Sequence, residues 1–299
     1  MDNKIEVSIV IPNLNSPIID KTIEAIKNQT YDMSKVEIIV IGQDKYGLIK
    51  ECDNVKFIHT QQEADPAKAR NIGCEYAKGE VILFTDADCV PDRNWIQNLM
   101  KHHKRGVNIV AGAVDINFEG ANYWSLSDNI GSFFFQLMDQ ERGTFKGKIV
   151  GTLNFSIKRD IFFKIGRFDE TFKRGQDAEF IARLRKLGYE IYFEPEAVVQ
   201  HHSLRNSFKS VVNHAISYGR YFPKLVEKHP KYFTKRRTLY MNSKSSVWTI
   251  LSPIKALVET WSIFWRHRIL RKCWYTFIGV FMFRFFIYYS ISRNMRKFR

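Results

Sequence analysis

The chain has 299 residues, 45% of them hydrophobic and 26% charged, a composition that excludes disorder over most of the length and supports one large α/β domain with an appendage, or two modest domains. Forty-six Lys and Arg against 31 Asp and Glu give a net charge of +15, which calls for an anionic partner: nucleic acid, a phosphorylated substrate or the anionic face of a membrane. Four cysteines without CxxC spacing disfavour a zinc cluster or a dense disulfide framework and fit a reducing cytoplasm, and the apolar run in the opening MDNKIEVSIVIP is too short for a signal peptide.

Residues 5–12, IEVSIVIP, form a β-branched run stopped by Pro12 and read as a buried strand of a parallel sheet. A loop from Asn13 to Pro17 follows, then Ile19, Ile23 and Ile26 recur at helical spacing within 18–29, and VEIIVI at 36–41 reads as a second buried strand. The theme repeats with VKFIHT at 55–60, a helix over about 67–77, and EVILFTDAD at 80–88, a strand running into two aspartates. This alternation predicts a doubly wound α/β sheet with helices on both faces. Ligands bind beyond the carboxyl ends of strands in such sheets, so Pro12–Asn15, Gly42–Asp44 and Thr85–Asp88 are expected to face one crevice. A second block at 151–202 has two strand-like runs flanking a helix over 177–187 and completes the fold.

After His202 the chain becomes dense in Lys, Arg, Phe, Tyr and Trp, with no acidic residue beyond Glu259, which marks a boundary near residue 205. Two apolar stretches, 248–265 and 274–291, are separated by the basic hinge RHRILRK at 266–272. The second is nearly long enough to cross a bilayer, but Arg284 sits near its middle at a cost of about 2.5–3.5 kcal/mol. Aromatic girdles and flanking Lys and Arg favour a pair of helices lying in the membrane interface over one true span. An aromatic core packed against the rest of the protein is the other reading.

Asp86 and Asp88 flank Ala87 at the end of an apolar strand, and in extended chain residues two apart point to the same side. Two crowded carboxylates call for a cation, and a hard divalent ion held by carboxylates and substrate phosphates suits Mg²⁺ or Mn²⁺. Taken alone, such a triplet reads as a solvated turn after a strand. Its surroundings decide otherwise. In order, the chain carries VSIVIPNLN, ARNIGCEYAKGEVILFTDADCVPDRNWI, NFSIKRDIFFKIGRFDETFKRGQDAEFIARLRKLGY and EPEAVVQHH. Through these motifs its first two-thirds resembles the family-2 glycosyltransferases of GT-A fold.

That resemblance implies a catalytic domain over 1–205, with a nucleotide-binding half over about 1–100 and an acceptor half over about 101–205, followed by a basic, aromatic helical region over 206–299 that associates with membrane. It implies that Pro12, Asn13 and Asn15 line the nucleoside pocket with Arg70 and Asn71 close by. Asp86 then serves the nucleotide and the metal, and Asp88 the metal, Mn²⁺ or Mg²⁺. Relatives often carry Asp-Asp-Gly after the second strand where this chain has Gly42-Gln43-Asp44. Either Asp44 takes over base or ribose recognition or the nucleotide is held differently, which leaves uridine, guanosine and thymidine open. Asp177 falls where inverting members carry the general base, although a carboxylate at a helix start also serves as an N-cap. His201 falls where relatives carry a histidine that completes the metal site, with His202 as the alternative ligand.

The expected activity is transfer, with inversion, from a nucleotide-diphosphate sugar to a glycan or lipid-linked glycan, by a peripheral, monotopic protein on the cytoplasmic face of the cell membrane. A single C-terminal span is the alternative. A nucleotidyltransferase would need a Gly-rich basic loop after the first strand, which is missing. A nucleic-acid binder would spread its charge along a polar groove, whereas here the excess gathers beside apolar runs, so an anionic membrane surface is expected and nucleic acid is not.

Overall fold

The computed structural model describes residues 4–117, 119–145, 149–233 and 245–295. The chain forms two compact units, Met1–Asp115 with Phe135–His201, and Ile116–Phe134 with His202–Arg299. The second unit thus takes in 116–134, a segment that the resemblance places in the acceptor half over about 101–205.

The first unit is built on one sheet of β1 (Val7–Leu14), β2 (Val36–Gln43), β3 (Val55–His59), β4 (Val81–Thr85), β5 (Cys89–Pro91), β6 (Ile109–Asp115), β7 (Gly143–Thr144), β8 (Asn154–Lys158) and β9 (Tyr192–His201). The strands lie in the order 3-2-1-4-8-6-9-5, with β7 paired to β9. The first four run parallel, joined through α1 (Ile19–Lys27) and α2 (Pro66–Tyr76). β8 enters antiparallel between β4 and β6, while β5 and β7 are antiparallel to β9, so the sheet is mixed. A strand buried on both faces, such as NFSIK, has the same apolar reading in either sense.

Pro12 does not end β1, which continues to Leu14. Pairing with β4 stops at Val10 while pairing with β2 runs on, so from Ile11 one flank of β1 is open and a proline there removes no ladder bond. Three more helices cover the sheet, α3 (Trp95–His103), α5 (Arg159–Ile165) and α6 (Gln176–Lys186). Phe84, Phe155, Phe162, Phe168 and Phe180 form the aromatic centre of the core, with the Phe168 and Phe180 ring centroids 4.6 Å apart.

Near the start of β9 the fully buried Glu194 accepts from His102 at 2.6 Å, Lys101 at 3.1 Å, Arg142 at 2.9 Å and the Glu196 backbone N–H at 3.0 Å. Burial by itself would raise this carboxyl, but these partners outweigh it and bring it down to about 2. The folded value lies below the unfolded one, so the stabilisation is complete above about pH 4.5 and is lost as pH falls toward 2. The expected loss is about 3 kcal/mol over that window. Acid unfolding followed by circular dichroism checks it, with Glu194→Gln expected to be less stable at neutral pH and flatter in its acid dependence.

The second unit contains α4 (Tyr123–Phe133), α7 (Phe208–Lys228), α8 (Ser245–Arg266) and α9 (Phe277–Met295), with 3₁₀ turns over Arg268–Thr276 that kink at Cys273. α9 packs against α4, α7 and α8. Small residues permit the close approach: a Cβ on Gly131 would lie 2.3 Å from the Phe283 ring, and one on Gly219 2.3 Å from Ser290. Arg284 is answered within the unit by Glu259 at 2.6 Å, by the Tyr288 hydroxyl and by the Gly131 carbonyl at 3.3 Å. Among the described residues, Arg268–Asn294 is the one helical stretch long and apolar enough to cross a membrane by length and composition.

Candidate active site

The carboxyl ends of β1 and β2 interlock. Gly42 sits opposite Asn13 at φ +135°, and a Cβ there would lie 1.8 Å from the Asn13 carbonyl oxygen, so only glycine fits. The buried Asn13 side chain donates to the Gln43 carbonyl at 2.8 Å and accepts from the Ser16 N–H at 3.1 Å. Asn15, left-handed at φ 56°, donates its backbone N–H to the Gln43 carbonyl and accepts from the Lys45 N–H at 2.8 Å. Asp44 accepts from the Ile49 N–H at 2.8 Å through Oδ2, while its buried Oδ1 has no hydrogen-bond partner within the protein. Pro12 is half-buried beside them, opposite Ile41.

Strand β4 ends at Thr85, and Asp86 to Cys89 form a turn closed by the Cys89 N–H donating to the Asp86 carbonyl at 3.1 Å. The two aspartates are therefore arranged by a turn and not by the pleat of an extended strand. Each carboxylate has its own neighbour. Asp86 accepts from Arg70 Nη2 at 2.5 Å, and Asp88 lies 3.6 Å from Nε2 of the buried His201. The turn is pinned from α1 and the loop before it, where the Ser16 and Thr22 hydroxyls donate to the Ala87 carbonyl at 2.7 and 3.3 Å.

Arg70 is buried on α2 rather than carried as a surface charge, and it reaches Asp177 as well, with Nη1 at 3.8 Å. Its Nε and Nη1 are buried without a hydrogen-bond partner, an arrangement that favours an incoming anion or oxygen ligand. Asp177 stands in the first turn of α6, where the N-cap is Gly175 at φ 75° and no side chain caps the helix. Instead of capping, its carboxylate accepts from the Thr152 hydroxyl at 2.7 Å. Burial pushes the Asp177 carboxyl above its ordinary value, Arg70 and the Thr152 hydroxyl oppose the rise, and Asp86 adds to it.

Of the sequence-derived residues, the structure brings together Arg70, Asp86 and Asp177 as one group, Asp88 and His201 as a second, and Asn13, Asn15 and Asp44 as a third. Asn71 serves elsewhere: its side chain donates to the Phe168 carbonyl and to Glu170, both at 2.9 Å, and accepts from the Phe168 N–H, clamping the loop after α5 to α2. His202 stands 3.2 Å from Asn117 in the second unit. Thr152, Ser16 and Thr22 escaped the sequence reading. The block at 151–202 includes Thr152, but nothing local ties its hydroxyl to Asp177.

Among the described residues no group of three or more His, Cys, Asp and Glu side chains converges in metal-binding geometry. Asp88 and His201 supply one carboxylate and one imidazole, a donor pair that suits Mn²⁺ or Mg²⁺ when substrate phosphates and water complete the shell. Asp86, turned toward Arg70, is the weaker candidate for that shell.

The sequence model of glycosyl transferase family 2 matches residues 8–166. The chain is 26% identical over 205 residues to glycosyltransferase AglE of Haloferax volcanii, a match covering 65% of this chain and 66% of the relative. It is 27% identical over 237 residues, 71% of each chain, to a Methanococcus voltae enzyme named dolichyl N-acetyl-alpha-D-glucosaminyl phosphate 3-beta-D-2,3-diacetamido-2,3-dideoxy-beta-D-glucuronosyltransferase. Among solved structures, the mannosyltransferase PcManGT of Pyrobaculum calidifontis, in complex with GDP-Man and Mn²⁺, aligns over 98% of this chain and 88% of its own with a TM-score of 0.58 at 16% identity. The mixed α/β sheet is thus that of the GT-A glycosyltransferases. The match over more than half the chain, with the ordered motifs on one sheet, means that the protein belongs to glycosyl transferase family 2.

Proposed function

We propose that this protein transfers a glycosyl group from a nucleoside-diphosphate sugar to a hydroxyl of a lipid-linked glycan, with inversion at the anomeric carbon, on the cytoplasmic face of a membrane. The observation that carries the reading is the buried Arg70 guanidinium ion-paired with both Asp86 and Asp177, with its Nε and Nη1 lacking a hydrogen-bond partner. The dolichyl-phosphate substrate named for the Methanococcus relative and the GDP-mannose and Mn²⁺ bound to the Pyrobaculum enzyme support the acceptor and donor classes.

In this reading Asn13, Asn15 and Asp44 border the nucleoside, and the unpartnered Asp44 Oδ1 accepts from its ribose or base. Arg70 faces the diphosphate. Asp88 and His201 hold the divalent cation, which when bound neutralises charge on the departing diphosphate. Asp177 takes the proton of the acceptor hydroxyl, whose oxygen bonds to the anomeric carbon from the face opposite the leaving nucleoside diphosphate. Thr152 holds the carboxylate in place by its 2.7 Å hydrogen bond.

A thermal-shift panel of UDP, GDP and dTDP sugars with Mn²⁺ tests the donor, followed by mass spectrometry of polyprenyl-linked acceptors. At a hundredfold excess over Kd, one donor class is expected to stabilise the protein by about 2.7 kcal/mol, a rise of several degrees. No shift across the panel would overturn donor binding.

A further inference from the structure

The two C-terminal apolar helices differ in what they show to the outside. α9 is packed among α4, α7 and α8, whereas α8 keeps an apolar side uncovered. Ile250, Ile254, Leu257, Val258, Trp261 and Trp265 are each between 50% and 71% exposed and recur at intervals of four, three, one, three and four, which aligns them in one stripe along the helix. The opposite side of α8, with Ala256, Thr260, Ile263 and Phe264, is buried. Tyr275 of the following turn and Ile278 at the start of α9, 63% and 68% exposed, extend the apolar surface, and Trp274 ties that turn to α8 by its edge contact with Trp261 at 5.7 Å.

Charge selects the occupant. Exposed Arg266, Arg268, Arg271 and Lys272 border the stripe where α8 ends, and no acidic residue follows Glu259, which is itself paired to Arg284. A second copy docking by the same face would bring four more cations into the contact and no further acidic residue beyond Glu259, whereas anionic lipid headgroups complement them. Deepening the membrane part of the function proposed above, we infer that this face of α8 and the adjoining turn seats flat on an anionic bilayer, with the stripe at the headgroup boundary and the four cations against lipid phosphates. α9 stays inside the helical unit, held to α8 by Arg284 and Glu259.

The full chain is floated with phosphatidylcholine vesicles with and without phosphatidylglycerol, at low and high salt, beside Trp261→Ser/Trp265→Ser and Arg268→Glu/Arg271→Glu. The wild type is expected on the anionic vesicles, and each double variant is expected to bind about tenfold more weakly or less. Donor-induced thermal shift without vesicles is expected to be the same in all three, so failure of sugar-donor binding and failure of the docking face are read separately. Independently of any variant, wild-type tryptophan fluorescence is expected to be quenched more by lipids brominated near the headgroup than near the chain ends. Equal vesicle binding by the variants, deeper quenching at the chain ends, or a dimer in solution that the same substitutions dissociate would overturn the assignment.

Discussion

Asp177→Asn is expected to lower sugar transfer by about 10²- to 10⁴-fold, the range for loss of a positioned general base, while leaving donor-induced thermal stabilisation in place. Asparagine keeps the shape and an acceptor for the Thr152 hydroxyl, so a loss of turnover without loss of donor binding isolates proton transfer. The pH profile adds a second readout. Asp177 acts as a base only when ionised, and burial raises its carboxyl above the ordinary value. Activity is therefore expected to fall as pH drops through that raised value, which places the acid limb of kcat/KM above the usual aspartate range. Thr152→Val removes a hydrogen bond to the ionised form and is expected to move the limb further up. Full activity in Asp177→Asn would remove this residue from the chemistry.

The second large effect concerns the cation. Asp88→Ala is expected to abolish Mn²⁺-dependent donor stabilisation and to lower turnover by about 10³-fold or more, since a bound divalent ion supplies several kcal/mol at a developing oxyanion. His201→Ala is expected to weaken the Mn²⁺ dependence, and the double variant to be little worse than Asp88→Ala, because two ligands of one ion act as a unit. His202→Ala serves as the contrast and is expected to leave the dependence in place, its imidazole standing against Asn117. Titration calorimetry with Mn²⁺ and the nucleoside diphosphate checks the series. Unchanged Mn²⁺ dependence in Asp88→Ala would rule out the proposed cation site.

How far the site can be read from sequence varies by residue. The apolar runs at 36–41 and 80–88 predict β2 and β4, and the rule for strand ends in such a sheet picks out Asp44, Asp86 and Asp88, which lie just beyond them. Asp177 is legible as a residue at the start of a helix, but its partner is not, because Thr152 lies 25 residues earlier in a segment with no local link to it. The extended-chain argument for Asp86 and Asp88 fails because the strand stops at Thr85, before either aspartate, and the turn is pinned by Ser16, 71 residues away from Ala87. Asn71 follows Arg70 directly, yet successive helix positions face different ways. One side chain turns to Asp86 and the other to Phe168, 97 residues on.

The sequence by itself determined the apolar runs that become β1, β2, β4 and the flanking helices, and the ordered motifs that identify the family, because periodicity and short motifs are properties of neighbouring residues. Tertiary structure alone decided that β8 runs antiparallel between β4 and β6, and that His201 rather than His202 stands beside Asp88. It also decided that α8 rather than α9 turns an apolar face outward. The sense of a strand pair, the partner of a polar side chain and the covering of a helix face are all settled by groups distant in the chain, and no local pattern records them.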